Sequence, residues 1–122
     1  MKKLLLILLC VPLFGLGQET TADKQYIDNM IDEVIYKLPI TDPATGVIWY
    51  DLINQNNKNI LFCYYAPKDF IVQSKEEFVE YCKTNQTLMS FLNKDINIVW
   101  LYYNILDREK LLGQIIINIK DI

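Results

Sequence analysis

The side chains of this sequence that are spaced as if for chemistry are thiols and carboxylates. Cys10, Cys63 and Cys82 are the thiols; Asp28 with Asp32, the adjacent Asp32-Glu33, and the group Glu76, Glu77 and Glu80 are the carboxylates. Paired carboxylates can divide the roles of general acid and base, and a thiolate is a nucleophile. Histidine is absent from all 122 residues. Its absence excludes Ser-His-Asp and Cys-His constellations and every zinc site that uses an imidazole. Asp28, Asp32 and Glu33 fall on the polar side of an amphipathic helical repeat, where charges keep a face solvated. Glu76, Glu77 and Glu80 open a second helix, where acidic groups meet the positive end of the helix dipole. An enzyme would need an acidic pocket built around Asp51 or Tyr50, and no motif supplies one. The sequence therefore reads as non-enzymatic, with no catalytic residue, metal ligand or cofactor-binding residue.

The cysteines carry information about compartment. Met1-Lys2-Lys3, the apolar run Leu4 to Phe14 and Gly15-Leu16-Gly17 have the form of a secretory signal peptide, so residues 1–17 are expected to be a leader. The run is too short to span a bilayer, which takes about 20 apolar residues. Cys10 follows Leu8-Leu9 rather than a small residue, which argues against a lipid anchor there. Cleavage after Gly17 would leave a short polar tail over residues 18–22 and a single domain over 23–122, exported to the periplasm or the medium. Two cysteines would remain. An even count in an oxidising compartment suggests one disulfide, whereas strand parity puts Cys63 and Cys82 on opposite sides of a sheet. A bridge, a free buried Cys82, or a Cys63 that joins two copies all stay open. Neither cysteine belongs to a Cys-x-x-Cys pair.

Without Lys2 and Lys3 the chain has 10 basic and 15 acidic residues, a net charge near −5. Nucleic acid and anionic lipid are poor partners for such a surface. A domain of about a hundred residues can bury a sufficient core without metal or cofactor.

Periodicity supplies the elements that must position any contact surface. Ile27, Met30, Ile31, Val34, Ile35 and Leu38 repeat at helical spacing, with Thr21 or Asp23 able to cap the start and Pro39 to stop the helix. Val47 to Ile53 and Ile60 to Ala66 flank an asparagine-rich turn and read as a hairpin. Ser74-Lys75-Glu76-Glu77 is a capping-box sequence that starts a second helix, expected to break near Thr84-Asn85 and resume through Leu88 to Leu92. Ile96 to Leu106 and Leu111 to Ile119 flank the polar stretch Asp107 to Lys110 as a second hairpin. The order α-β-β-α-β-β predicts an α+β fold, a four-stranded antiparallel sheet with both helices on one face.

Alternation within the strands then divides inward from outward residues. The rows expected to face away from the helices contain Leu61, Cys63, Tyr65, Val99, Leu101, Tyr103 and Ile116, with Trp49 as an additional candidate. An apolar face of that extent suits a protein partner or a second copy. The alternative is a small hydrophobic ligand held between sheet and helices by Phe62, Tyr64, Trp100 and Tyr102.

Leu38-Pro39, the aromatic strand Ile60 to Ala66, Tyr81-Cys82-Lys83-Thr84, Leu88 to Leu92, and Ile96-x-Ile98-x-Trp100-x-Tyr102-Tyr103 followed by Ile115-x-Ile117-x-Ile119-x-Asp121 resemble a group of small exported bacterial proteins without an assigned function. The resemblance covers about four-fifths of the expected mature chain and implies the α+β fold and an address outside the cytoplasm. Members of that group often carry a cysteine after the position matching Asp121, which would serve as partner to the cysteine matching Cys82. This chain has Ile122 there.

Overall fold

The computed structural model of the protein describes residues 24–122. The expected leader over 1–17, the expected tail over 18–22 and the expected helix caps at Thr21 and Asp23 lie outside them. Helix α1, Lys24–Ile35, buries Ile27, Met30, Ile31 and Val34, the i, i+3, i+4, i+7 stripe, against the sheet. It ends at Ile35, before the expected Leu38. The amides of Lys37 and Leu38 bond to carbonyls three residues back, on Val34 (2.8 Å) and Ile35 (3.1 Å), which tightens the chain into a turn before the cis Leu38-Pro39 bond. Ile35 is left 43% exposed, while Leu38 still packs on the core.

Five strands follow, one more than expected: β1 (Ile40–Thr41), β2 (Ile48–Gln55), β3 (Asn59–Ala66), β4 (Asn97–Asn104) and β5 (Asp107–Ile117), side by side in that order. The additional strand, β1, exists because Asp42 folds the chain back on itself. Its carboxylate accepts from the Ala44 amide (3.1 Å) and the Thr45 hydroxyl (2.8 Å), and Gly46 takes the positive φ of 77° that closes the loop. The sheet is also not wholly antiparallel, because β3 and β4 run parallel. Their connection contains two helices, α2 (Lys75–Thr84) and α3 (Gln86–Asn93), and a crossover of that length returns the chain to the end where β3 began. The α+β class stands, and the element order becomes α-β-β-β-α-α-β-β.

Asn85 makes the expected break between α2 and α3. It sits in an extended conformation, and its side chain accepts from the Leu88 amide at 3.0 Å, so it ends one helix and caps the next. At the start of α2 the Glu77 carboxylate reaches back to the Ser74 amide at 3.2 Å. The β2–β3 turn is built on Asn56 and Asn57, both at positive φ, with the Asn54 side chain accepting from the Asn57 amide at 2.9 Å.

The second hairpin turns at Ile105 and Leu106 rather than at Asp107 to Lys110, which belong to β5. Asn104 decides this: its side-chain oxygen accepts from the Leu106 amide at 2.9 Å, and Asn104 pairs directly with Asp107. A register shift between that pair and Tyr103–Leu111 absorbs residues 108–110. The last strand stops at Ile117, and Ile119 lies in a terminal 3₁₀ turn that Asn118 caps. Asp121 there accepts from the Asn118 amide (2.9 Å) and pairs with Lys75 (3.2 Å); these contacts lower its carboxyl pKa.

The core lies between the helices and one face of the sheet. Its centre is a set of stacked rings whose order follows strand register: Trp49 on Phe62 (5.6 Å), Phe62 on Trp100 (5.3 Å), and Tyr64 on Tyr102 (4.9 Å). None of these rings is more than 1% exposed.

A candidate contact site on the open sheet face

The opposite face of the sheet is covered by none of the described helices, and strand pairing arranges its outward side chains in rows. One row runs Ile53, Leu61, Val99, Ile116 across β2 to β5. The next runs Asp51, Cys63, Leu101, Gln114. The third runs Ile48, Tyr65, Tyr103, Leu111. The structure thus brings Leu61, Cys63, Tyr65, Val99, Leu101, Tyr103 and Ile116 onto one surface. The centre is tight and the margins are open: Cys63 is 4% and Val99 7% exposed, against 39% for Ile53 and 42% for Ile116.

Trp49, the additional candidate, is on the other face and fully buried. A bulge at Tyr50 is the reason. Trp49 pairs with the inward Tyr64 and Asp51 with the outward Cys63, so Tyr50 is an extra residue and parity shifts around it. Sequence alternation alone missed Tyr50, Ile48 and Arg108 as members of this surface. A bulge without glycine leaves no local mark in a sequence. Tyr50 stacks on Tyr65 with ring centroids 4.0 Å apart and planes 9° from parallel. The Arg108 guanidinium sits 4.4 Å from the Tyr65 ring centre, a cation–π contact. At the far end, Asn97 donates to Asn59 (3.0 Å) and Asn59 to Gln55 (2.8 Å), a ladder of amides that gives the apolar rows a polar rim.

Electrostatics make Cys63 a poor nucleophile. Burial, and then the nearby Asp51 charge, push its thiol up to about 11, against a smaller opposing effect of its hydrogen bond with Tyr50. Burial alone pushes Cys82 up to about 12. Both are free thiols, and the sheet separates them: Cys82 belongs to the core on the helix side, Cys63 to the open face. Burial, with Cys63, Tyr65 and Tyr103 close by, raises the Tyr50 phenol above its ordinary value.

The carboxylates named above have structural surroundings. Asp28 accepts from the Asn54 side chain at 3.1 Å, tying α1 to β2; Asp32 and Glu33 are exposed; Glu80 pairs with Lys83 at 3.3 Å. A surface depression of about 310 Å³ beside Lys75, Glu76, Val79, Glu80 and Asp121 includes the Lys75–Asp121 ion pair. Among the described residues no group of three or more Cys, Asp or Glu side chains is placed to hold a metal ion, and no helix is long and apolar enough to cross a membrane. Phe62, Tyr64, Trp100 and Tyr102, the residues of the ligand alternative, are stacked on one another in the core.

No protein-family model matches the sequence, and no curated protein matches it by sequence. Among solved structures, the fold is similar to that of a candidate secreted protein of Pseudomonas aeruginosa, determined by crystallography at 1.60 Å. The TM-score is 0.64 at 6% sequence identity, over 84% of this chain and 96% of that one. At that identity the likeness establishes a shared mixed α+β architecture.

Proposed function

We propose that this chain is an exported, non-enzymatic interaction module that engages protein through the open face of its sheet. The carrying observation is the face itself: three outward rows, apolar in the middle, with Tyr50, Tyr65, Tyr103 and Arg108 gathered at one end and amides at the other. Tyrosine and arginine are the residue types that concentrate binding energy at protein interfaces. On that surface the raised pKa of Cys63 makes it a poor nucleophile, and the Asp51 carboxylate accepts from the Leu52 amide; Asp28, Glu77 and Glu80, on the helices, are likewise engaged in structural contacts. Export is supported by the leader-like first seventeen residues and by the secreted description of the Pseudomonas aeruginosa protein.

Two measurements test this. Intact mass of the protein from an extracytoplasmic fraction is expected to begin at Gln18; a cytoplasmic protein with Met1 to Gly17 intact would overturn export. A photo-crosslinking residue at Gln114, in the middle row, is expected to give an adduct in cells, and the same residue at Glu76 on α2 is not. Equal labelling from both positions, or none from Gln114, would remove the open face as the contact surface.

A further inference from the structure

On the helix side of the sheet, we propose that the protein binds an internal water, held by the side chains of Gln73 and Trp100 where the chain enters α2. Gln73 is 3% exposed and Trp100 wholly buried, yet the Gln73 Oε1 and Nε2 atoms and the Trp100 Nε1 atom have no hydrogen-bond partner in the protein. Nearly all buried polar atoms are paired, because an unpaired one has given up its solvation for nothing. Among the described residues these three are the buried side-chain atoms left without a partner, and only two residues supply them. The fold carries both residues to the same place. Gln73 precedes the N-cap Ser74 and Phe78 follows it by four, the two positions whose side chains meet across a helix start. The Phe78 ring in turn lies 4.7 Å from that of Trp100. From the other side, Val72 lies against Gly113 on β5, and Ile115, two residues further along that strand, pairs with Trp100.

The chemistry of the three atoms selects the guest. Two belong to N–H donors and one is a carbonyl acceptor, so the guest must accept and donate at once. The burial of both residues admits only a very small molecule. Water meets both demands. It accepts from Trp100 Nε1 and Gln73 Nε2 and donates to Gln73 Oε1, about the three bonds that a buried water makes. Its place also gives it a structural role. No backbone hydrogen bond ties residues 71–73 to another described element, and the segment rests on apolar contacts, Phe70 on Tyr102 and Val72 on Gly113. The water is then the polar tether between this segment and β4.

The experiment is water-selective nuclear Overhauser transfer, in the laboratory and rotating frames, on the ¹⁵N-labelled protein as the expressing cell processes it. The Trp100 indole N–H is expected to show a cross-peak to water with opposite signs in the two frames, the mark of a water held longer than the molecule takes to tumble. The Trp49 indole, which donates to the Asp51 carbonyl at 2.9 Å, is the internal control and should show none. Gln73→Leu, close in size and without polar atoms, should erase the Trp100 cross-peak and leave the Trp49 resonance in place. Trp100→Phe assigns the two indoles and reads the site from its other side: the cross-peak from water to the Gln73 carboxamide protons should fall at least twofold. That second variant keeps the test open if Gln73→Leu does not fold. A natural chain with no water cross-peak at Trp100, a direct Gln73–Trp100 contact in its place, or a cross-peak that either variant leaves unchanged would overturn the proposal.

Discussion

Cys63 shows how a residue's environment decides its chemistry. By parity it belongs on an open face, where a thiol in an oxidising compartment invites a bridge, yet it is 4% exposed and its pKa rises to about 11. Burial there comes from the side chains that crowd the middle of the sheet, and alternation along one strand carries no record of them. Both buried thiols tie stability to alkaline pH. An unfolded thiol loses its proton near pH 9, the folded thiols hold theirs to about 11 and 12, and so rising pH draws the equilibrium toward the unfolded chain. The stabilising contribution is complete below pH 9 and is lost as pH rises through 11 to 12. The melting temperature is expected to fall over that interval, and Cys82→Ala, though destabilised by its cavity, should show a shallower fall. Equal slopes in the two proteins would show that Cys82 is not the titrating group.

At the scale of elements, the β5 strand is held against its neighbours by a close approach. A Cβ added at Gly113 would lie 3.1 Å from a methyl of Val72, on the segment that leads into α2. Gly113→Val is therefore expected to destabilise by about 1–3 kcal/mol, the usual cost of overpacking. Combining it with Val72→Ala should recover part of that loss, and a double-mutant cycle in urea measures the coupling. Strictly additive effects would mean that the two residues do not meet. The helix boundaries were legible where a side chain marks them: Asn85 at the break and Ser74 with Glu77 at the start of α2. The turn after β4 was not, because the polar stretch Asp107 to Lys110 outweighed the single residue, Asn104, whose side chain bonds the Leu106 amide and sets the turn two residues earlier.

For the whole molecule, the separation of Cys63 and Cys82 by the sheet predicts that reductant leaves both the fold and the state of association unchanged. Light scattering at a fixed high concentration, with and without dithiothreitol, is expected to give the same mass; a mass halved by reductant would show that Cys63 links two copies. What the sequence determined by itself is what local periodicity and composition can encode. The helical stripe from Ile27 to Val34, the inward rings of β3 and β4 and the outward row from Leu61 to Tyr65 each follow from the pitch of one element. The lack of histidine likewise limits chemistry without reference to shape. Tertiary structure decided what depends on how elements meet: the parallel β3–β4 pair, set by the helices between them; the bulge at Tyr50 that turns Trp49 inward and Asp51 outward; and the packing that buries Cys63. Strand pairing is a relation between segments far apart in the chain, so no alternation within either segment specifies it.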